Sequence, residues 1–126
     1  MTEAYVCTIP ATPPSFNEYD RWPSWKQRAR KHWWQEMVHA LVNEKGNKAP
    51  RGLGKVDLRT VIAFTLNRRR DSDNFSMPLY KWTQDALVIA GVLLDDSHEK
   101  CTAYPPKLIV ADLEQTVLMI QGRLAG

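Results

Sequence analysis

Alternating apolar residues predict four strands along the chain. Alternation over residues 5–9 is typical of a short first strand, and the β-branched residues of 55–66 predict the longest one. Two further strands are predicted near residues 103–112 and over residues 115–123. Because Pro105-Pro106 falls in the former, we expect that strand to begin as an edge or bulged strand.

Apolar residues spaced three and four apart predict a long helix over residues 25–45. Its apolar stripe consists of Trp25, Ala29, Trp33, Trp34, Met37, Val38, Leu41 and Val42. We expect Ser24 to cap the start of this helix and Gly46 to follow its end. A second helix is predicted to begin between residues 75 and 79 and to end at Ala90, before Gly91. Prolines before the long helix predict an extended loop that reaches Pro23.

The order β-α-β-α-β-β indicates an α/β or α+β fold, a small mixed sheet of about four strands flanked by two main helices. A chain of 126 residues suits one domain, over residues 1–126. Its 44% apolar and 25% charged residues argue against wholesale disorder. We expect no membrane span and no secretory signal. Cys7 and Cys101 are expected to be buried thiols in a reducing cytosol.

Charge is distributed unevenly along the chain. The net charge is +3, but residues 21–55 contain nine basic and two acidic residues, a net +7, which leaves −4 for the remainder. Four basic residues occupy the first half of the long helix, where the helix dipole disfavours cations: Lys26, Arg28, Arg30 and Lys31. This placement suggests a polyanionic partner, either nucleic acid or a lipid headgroup, although a solvated helix face is the alternative.

Four aspartates are the strongest candidates for chemistry. Asp71 and Asp73 follow the long strand, and positions two apart in an extended backbone point to one side. We expect the following helix and return loop to bring Asp95 and Asp96 back to the same level. Converging carboxylates require a cation, and hard oxygen ligands suit Mg²⁺ or Mn²⁺. Aspartates also crowd turns, where they accept hydrogen bonds from local amides, so a structural role stays open.

Arginines occupy the three positions directly before this pair: Arg68, Arg69 and Arg70. In an extended backbone Arg69 shares the face of the two aspartates, and the other two arginines point the opposite way. Carboxylates for a metal and arginines for a phosphate are what metal-assisted phosphodiester hydrolysis requires. Lys81 is one helix away and could form a surface ion pair with Asp85 at i+4.

The motifs of this region follow one another in a specific order. Arg68-Arg69-Arg70-Asp71-Ser72-Asp73-Asn74 is followed by Lys81, by Asp85-Ala86-Leu87, by Gly91 and by Leu94-Asp95-Asp96. This order resembles that of the RusA-type Holliday junction resolvases. Near the N-terminus, Pro13-Pro14-Ser15-Phe16-Asn17 is similar to the Pro-Pro-Ser-x-Asn segment of that family. The stretch between Asn74 and Lys81, which includes Pro78, is longer than in the family.

The resemblance implies a homodimeric, Mg²⁺-dependent (or Mn²⁺-dependent) endonuclease that resolves four-way DNA junctions with paired nicks, in recombination, repair or phage DNA processing. The family's essential carboxylates fall on Asp71, Asp73 and Asp96, which would hold the metal, with Asp95 as the alternative third ligand. Its essential lysine falls on Lys81. The residues expected to contact DNA are Lys26, Arg28, Arg30, Lys31, Arg68, Arg69 and Arg70. The family's frequent occurrence in phages suggests a bacterial or phage-infected host cytosol.

Other functions stay open on the sequence alone. The protein could bind branched DNA without cutting it, could cut flaps and forks more broadly, or could be a protein-interaction module. Trp22, beside Arg21, is the best candidate for stacking on an unpaired base. Trp33, Trp34 and Trp82, at helical spacing, are expected in the core or in a dimer interface.

Overall fold

The protein is described here by a computed structural model that covers residues 2–94 and 100–124. It has a mixed sheet of five strands and three α-helices, which confirms the predicted small α+β fold. In chain order the elements are β1 (Thr2–Ile9), α1 (Phe16–Arg21), α2 (Ser24–Val42), β2 (Leu53–Phe64), α3 (Leu79–Ile89), β3 (Cys101–Ala103), β4 (Lys107–Val110) and β5 (Gln115–Leu124). A short 3₁₀ turn, Ser72–Phe75, precedes α3.

The sheet is built around β2 and β5. β5 pairs antiparallel with β1 on one side and with β2 on the other. β2 pairs parallel with both β3 and β4, which follow each other along the same edge of the sheet. α3 is therefore the crossover helix of a β-α-β unit that starts at β2.

Pro105 and Pro106 divide the outer strand into two pieces. The single strand predicted near residues 103–112 is observed as the three-residue β3 and the four-residue β4. Proline has no backbone N–H to give to a sheet, so the pairing stops at Ala103 and resumes at Lys107. This break accounts for a sheet of five strands where about four were expected.

Alternate residues of the long strands are buried, and this face of the sheet packs into the core. Tyr5, Cys7 and Ile9 are buried on β1, and Leu118 and Ile120 on β5. The helices complete the core with two tryptophans, one each from α2 and α3. Trp34 and Trp82 are at most 1% exposed, as expected, and the Trp34 Nε1–H donates to Thr83 Oγ1 at 3.0 Å. Trp33 is half-buried against this core.

The buried residues of α2 all lie in its second half. Trp34, Val38 and Val42 are its buried residues, whereas Trp25 is 66% exposed and Ala29 is exposed as well. The apolar stripe thus extends toward the N-terminal end of α2, beyond the part of the helix that the sheet and α3 cover. The predicted stripe is therefore buried along only part of its length, and the first half of α2 presents apolar and basic side chains to solvent.

The predicted caps of α2 are displaced. Pro23, and not Ser24, is the N-cap residue, and it makes no side-chain cap bond. The helix ends at Val42, so Gly46 lies beyond its C-cap. Arg51 donates hydrogen bonds to the backbone O atoms of Ala49 (2.8 Å) and Val42 (3.4 Å). Arg51, one of the basic residues of the positively charged stretch 21–55, therefore stabilises the end of the helix.

Both cysteines are buried, as the sequence predicts. Burial raises the pKa of the Cys7 thiol to about 11, so the thiol stays protonated and unreactive at neutral pH. The hydroxyl of Tyr5 donates to the backbone O of Leu41 at 2.9 Å, and burial raises the pKa of this tyrosine also. In the two ranges that the structure covers, no helix is both long and apolar enough to cross a membrane.

Gly122 on β5 lies in close contact with β2. A Cβ at this position would be 2.7 Å from the backbone O of Lys55 and 2.8 Å from a methyl group of Val56. Because one of these atoms belongs to the backbone, we expect Gly122→Ala to lower the free energy of unfolding by about 1–3 kcal/mol in urea denaturation. Gln121→Ala, at the exposed neighbouring position, is the control and should change it by less than about 0.5 kcal/mol. Equal stability of the two variants would contradict the close approach.

Candidate functional site

Loops from three parts of the chain meet at the edge of the sheet where β2 ends. Ala63 near the end of β2 pairs with Gln115 at the start of β5, and Ile9 at the end of β1 pairs with Thr116. The Thr116 hydroxyl donates to the backbone O of Ala11 at 2.7 Å. The N-terminal motif and the segment after β2 are therefore brought to the same place.

The segment expected to be an extended loop contains the short helix α1. Ser15 is its N-cap, and the Ser15 Oγ accepts a hydrogen bond from the Glu18 N–H at 3.1 Å. One residue into this helix, the Asn17 N–H donates to Asn74 Oδ1 at 3.3 Å. This bond joins the Pro-Pro-Ser-x-Asn segment to the Asp-x-Asp-Asn segment, across 57 residues of sequence.

Asp71 and Asp73 lie in a tight turn rather than on an extended strand, so the predicted backbone geometry is wrong here. Asp71 is the N-cap of the 3₁₀ turn, and its Oδ1 accepts a hydrogen bond from the Asp73 N–H at 3.1 Å. Both aspartates are exposed. We call residues 71–74 the acidic turn. Together with Asn17 and Ser76 it borders an open hollow of about 520 Å³.

The triple arginine does not continue the strand either. β2 ends at Phe64, two residues before the predicted end, so the three arginines lie in the loop that follows the strand. The Arg70 guanidinium lies 3.9 Å from the ring centroid of Phe64, and its Nη1 donates to the backbone O of Leu66 at 2.8 Å. Arg70 therefore holds the loop between β2 and the acidic turn in place.

A second, larger depression lies beside the acidic turn. We call it the arginine cleft and define it by Arg21, Trp22, Arg68 and Arg70; its volume is about 800 Å³. Two acidic side chains, Glu18 and Glu114, line it as well. Asn17 and Asn74 border both the cleft and the hollow at the acidic turn. Cationic side chains and exposed carboxylates are thus adjacent, on the two sides of one asparagine pair.

Lys81 forms the predicted ion pair on α3. Its Nζ lies 3.2 Å from Asp85 Oδ1, and its side chain is 58% exposed. Of the carboxylates in the described ranges, Asp85 alone is within 4.0 Å of this ammonium. Lys81 is thus not brought into contact with Asp71 or Asp73 within this chain.

Asp95 and Asp96 lie outside the residues that the structure describes. The residues on either side of this gap both pair with the first part of β2. The Leu94 N–H donates to the backbone O of Leu53 at 3.2 Å, and the Lys100 backbone O accepts from the Val56 N–H at 2.8 Å. Leu53 is the first residue of β2, whereas the acidic turn follows its last, Phe64. At about 3.3 Å per residue, the strand separates these ends by about 35 Å.

Leu94, the last described residue before the two aspartates, therefore lies at the start of β2 and not at the level of the acidic turn. The physical reason is the β-α-β crossover, since the helix must bring the chain back to the beginning of β2 before a parallel strand can follow. Within residues 2–94 and 100–124, no three His, Cys, Asp or Glu side chains are grouped so that they could hold a metal ion. Asp71 and Asp73 are the part of the predicted ligand set that the structure places.

No protein-family model matches the chain, and no curated protein matches it. The resemblance to RusA-type resolvases therefore rests on the order of the motifs in the sequence, and it stays a prediction.

Proposed function

We propose that the protein is a divalent-metal-dependent endonuclease that cuts branched DNA, four-way junctions included, as a homodimer. The observation that supports this most is the Asn17–Asn74 hydrogen bond. It joins the two segments on which the resemblance depends, and on its two sides lie the exposed carboxylates and the arginine cleft. A site for the substrate phosphate, the arginine cleft, therefore lies next to the carboxylates that would take part in its cleavage.

The acidic turn has donors that suit Mg²⁺ or Mn²⁺. Asp71 and Asp73 expose carboxylate oxygens, and proteins often hold Mg²⁺ through one or two carboxylates while water and substrate phosphates complete the shell. When bound, such an ion activates water and neutralises the charge that develops on the phosphate. Asp96, or alternatively Asp95, is the further ligand that the resemblance implies.

The basic residues of the chain have separate parts in this proposal. Arg21 and Arg68, in the arginine cleft, are placed to bind the phosphates nearest to the acidic turn, because guanidinium groups bind phosphate in a bidentate manner. Arg70 shares this cleft while it also supports the loop. Lys81 is the proposed source of positive charge for the transition state. A two-fold dimer presents two such sites to the two strands of a junction.

A second candidate function is the binding of branched DNA without cleavage. Two observations favour it: Asp71 already accepts a hydrogen bond from its own turn, and the chain at Leu94 lies at the opposite end of β2. On this alternative Asp71 is a structural cap, and the arginine cleft alone explains an affinity for DNA.

Purified protein with labelled synthetic DNA distinguishes these functions. We expect paired nicks in a four-way junction with Mg²⁺ or Mn²⁺ and none in EDTA, and an affinity that falls steeply as salt rises because phosphate contacts release counterions. A flap and a linear duplex run in parallel define the substrate range. Salt-sensitive binding without nicking in either metal favours the non-catalytic function. Absence of DNA binding would overturn both and favour a protein-interaction module.

A further inference from the structure

A groove between two tryptophans lies on the exposed first half of α2. We call it the Trp groove and define it by Trp22, Lys26, Ala29, Arg30 and Trp33; its volume is about 420 Å³. The four residues on α2 are spaced i, i+3, i+4 and i+7, so they share one face of the helix. Trp22 at the end of α1 forms one wall and Trp33 the other.

Both walls of the groove are connected to the protein core. The Trp22 ring packs edge-on against Tyr19, with ring centroids 6.3 Å apart, and Tyr19 packs against buried Trp82 at 5.7 Å. Trp82 is 6.3 Å from Trp34, which is 6.4 Å from Trp33. This continuous series of aromatic contacts connects both walls of the groove to the buried core.

The charge of the groove matches a phosphate-bearing ligand. Lys26 Nζ lies 4.4 Å from the centroid of Trp22, and Arg30 Cζ lies 5.3 Å from that of Trp33. Neither cation, nor their neighbours Arg28 and Lys31, is in ion-pair distance of a carboxylate in the part of the chain that the structure covers. Cations in the first turns of a helix oppose its dipole, so their accumulation here needs a reason other than folding.

The Trp groove adjoins the arginine cleft, because Trp22 borders both. A strand that leaves the acidic turn along Arg68 and Arg21 would therefore reach Trp22 next. Duplex DNA keeps its bases stacked on one another, and only an unpaired base can offer its face to a tryptophan. The combination of aromatic walls and unpaired cations thus favours single-stranded DNA over duplex DNA.

We propose that the Trp groove binds an unpaired nucleotide, and that the branch point of the substrate supplies this nucleotide beside the bond to be cut. The base stacks on the ring of Trp22 or Trp33 and takes the place of the cation that lies over that ring. Lys26 and Arg30 then bind the phosphates of the nucleotide. The position of this segment relative to cleavage rests on the function proposed above, whereas the preference for unpaired DNA does not.

Fluorescence anisotropy in EDTA tests this preference without cleavage. The probes are a labelled 12-nucleotide oligothymidylate and a labelled 12-base-pair duplex, each titrated with the full-length chain. We expect Trp22→Ala and Trp33→Ala each to weaken oligothymidylate binding at least about five-fold, because stacking on an aromatic ring provides much of the affinity for a single strand. Binding of the duplex should change by less than about two-fold on the same principle. Trp22→Phe and Trp33→Phe keep a ring and should restore most of the affinity.

Trp25→Ala is the matched control, because Trp25 is an exposed tryptophan of the same helix outside the groove. It should bind both probes as the wild type does. Trp33 also packs against the core, so near-ultraviolet circular dichroism must show that its variants are folded, and Trp22→Ala gives an independent measurement. Equal loss for both probes, or no loss in the Trp22 and Trp33 variants, would overturn the proposal. If the wild type cuts no DNA in Mg²⁺ but its oligothymidylate binding depends on Trp22 and Trp33, the proposed nuclease function is wrong and the proposed binding of an unpaired nucleotide in the Trp groove is supported.

Discussion

Asp71→Asn is expected to lower Mg²⁺-dependent cleavage of a four-way junction by about a hundred-fold or more, to the level of Asp71→Ala. The two substitutions differ in one respect. Asparagine retains a side-chain oxygen that can accept the hydrogen bond from the Asp73 N–H, whereas alanine does not. Loss of activity in both variants therefore assigns the function of Asp71 to its negative charge and not to its cap.

Asp73→Asn should have the same effect on cleavage, since the Asp73 side chain is exposed at the same turn. Junction binding in EDTA is expected to be kept or tightened in all three variants, because a negative charge beside phosphate has been removed. An Asp71→Asn protein that cuts at the wild-type rate while Asp71→Ala does not would show that the carboxylate acts only as a cap. That result would leave the non-catalytic DNA-binding function as the better explanation of this surface.

The second large effect is expected on stability. Trp34→Ala should lower the free energy of unfolding by about 3–5 kcal/mol, because it leaves a cavity between α2 and α3. Trp34 is fully buried, packs against Trp82 and donates its indole N–H to Thr83. Since small domains are stable by only about 5–15 kcal/mol, this variant should lose a large share of the total stability. Urea denaturation followed by far-ultraviolet circular dichroism measures the change.

Thr83→Val separates the hydrogen bond from the packing at this contact. It removes the acceptor of the Trp34 indole N–H and leaves that donor buried, at a cost of about 1–3 kcal/mol. Trp25→Ala is again the control, and a change below about 0.5 kcal/mol is expected for it because the side chain is largely exposed. A Trp34→Ala protein as stable as the Trp25 variant would mean that α2 and α3 do not pack as described.

The pattern of apolar residues was sufficient to predict the long strands and helices. In these elements the apolar residues recur with the period of the strand or helix because one face is buried in the core. The pattern failed at α1, whose six residues, Phe16–Arg21, include no buried side chain. A local signal for α1 was nevertheless present. Ser15 stands three positions before Glu18, the spacing of a helix capping box, and the Ser15 side chain does accept from the Glu18 N–H.

The candidate site was predictable only where neighbours in sequence are neighbours in space. Asp71 and Asp73 stayed together, and Lys81 paired with Asp85 one turn away. The bond between Asn17 and Asn74 depends on how β1 and β2 are arranged around β5, which no local pattern contains. Recognising residues 53–103 as a β-α-β crossover would have placed Leu94 at the start of β2, because the helix of such a unit always leads back there.

Pro105 and Pro106 also determine how this sheet can be extended by another chain. The border formed by β3 and β4 lacks two consecutive backbone N–H groups in its middle, so an added strand could not form an uninterrupted ladder along it. The opposite border, β1, runs for eight residues without a break. Among the described strands, β1 thus offers an uninterrupted edge for a second copy, and edge-to-edge growth of the sheet into a fibre is hindered at the proline side.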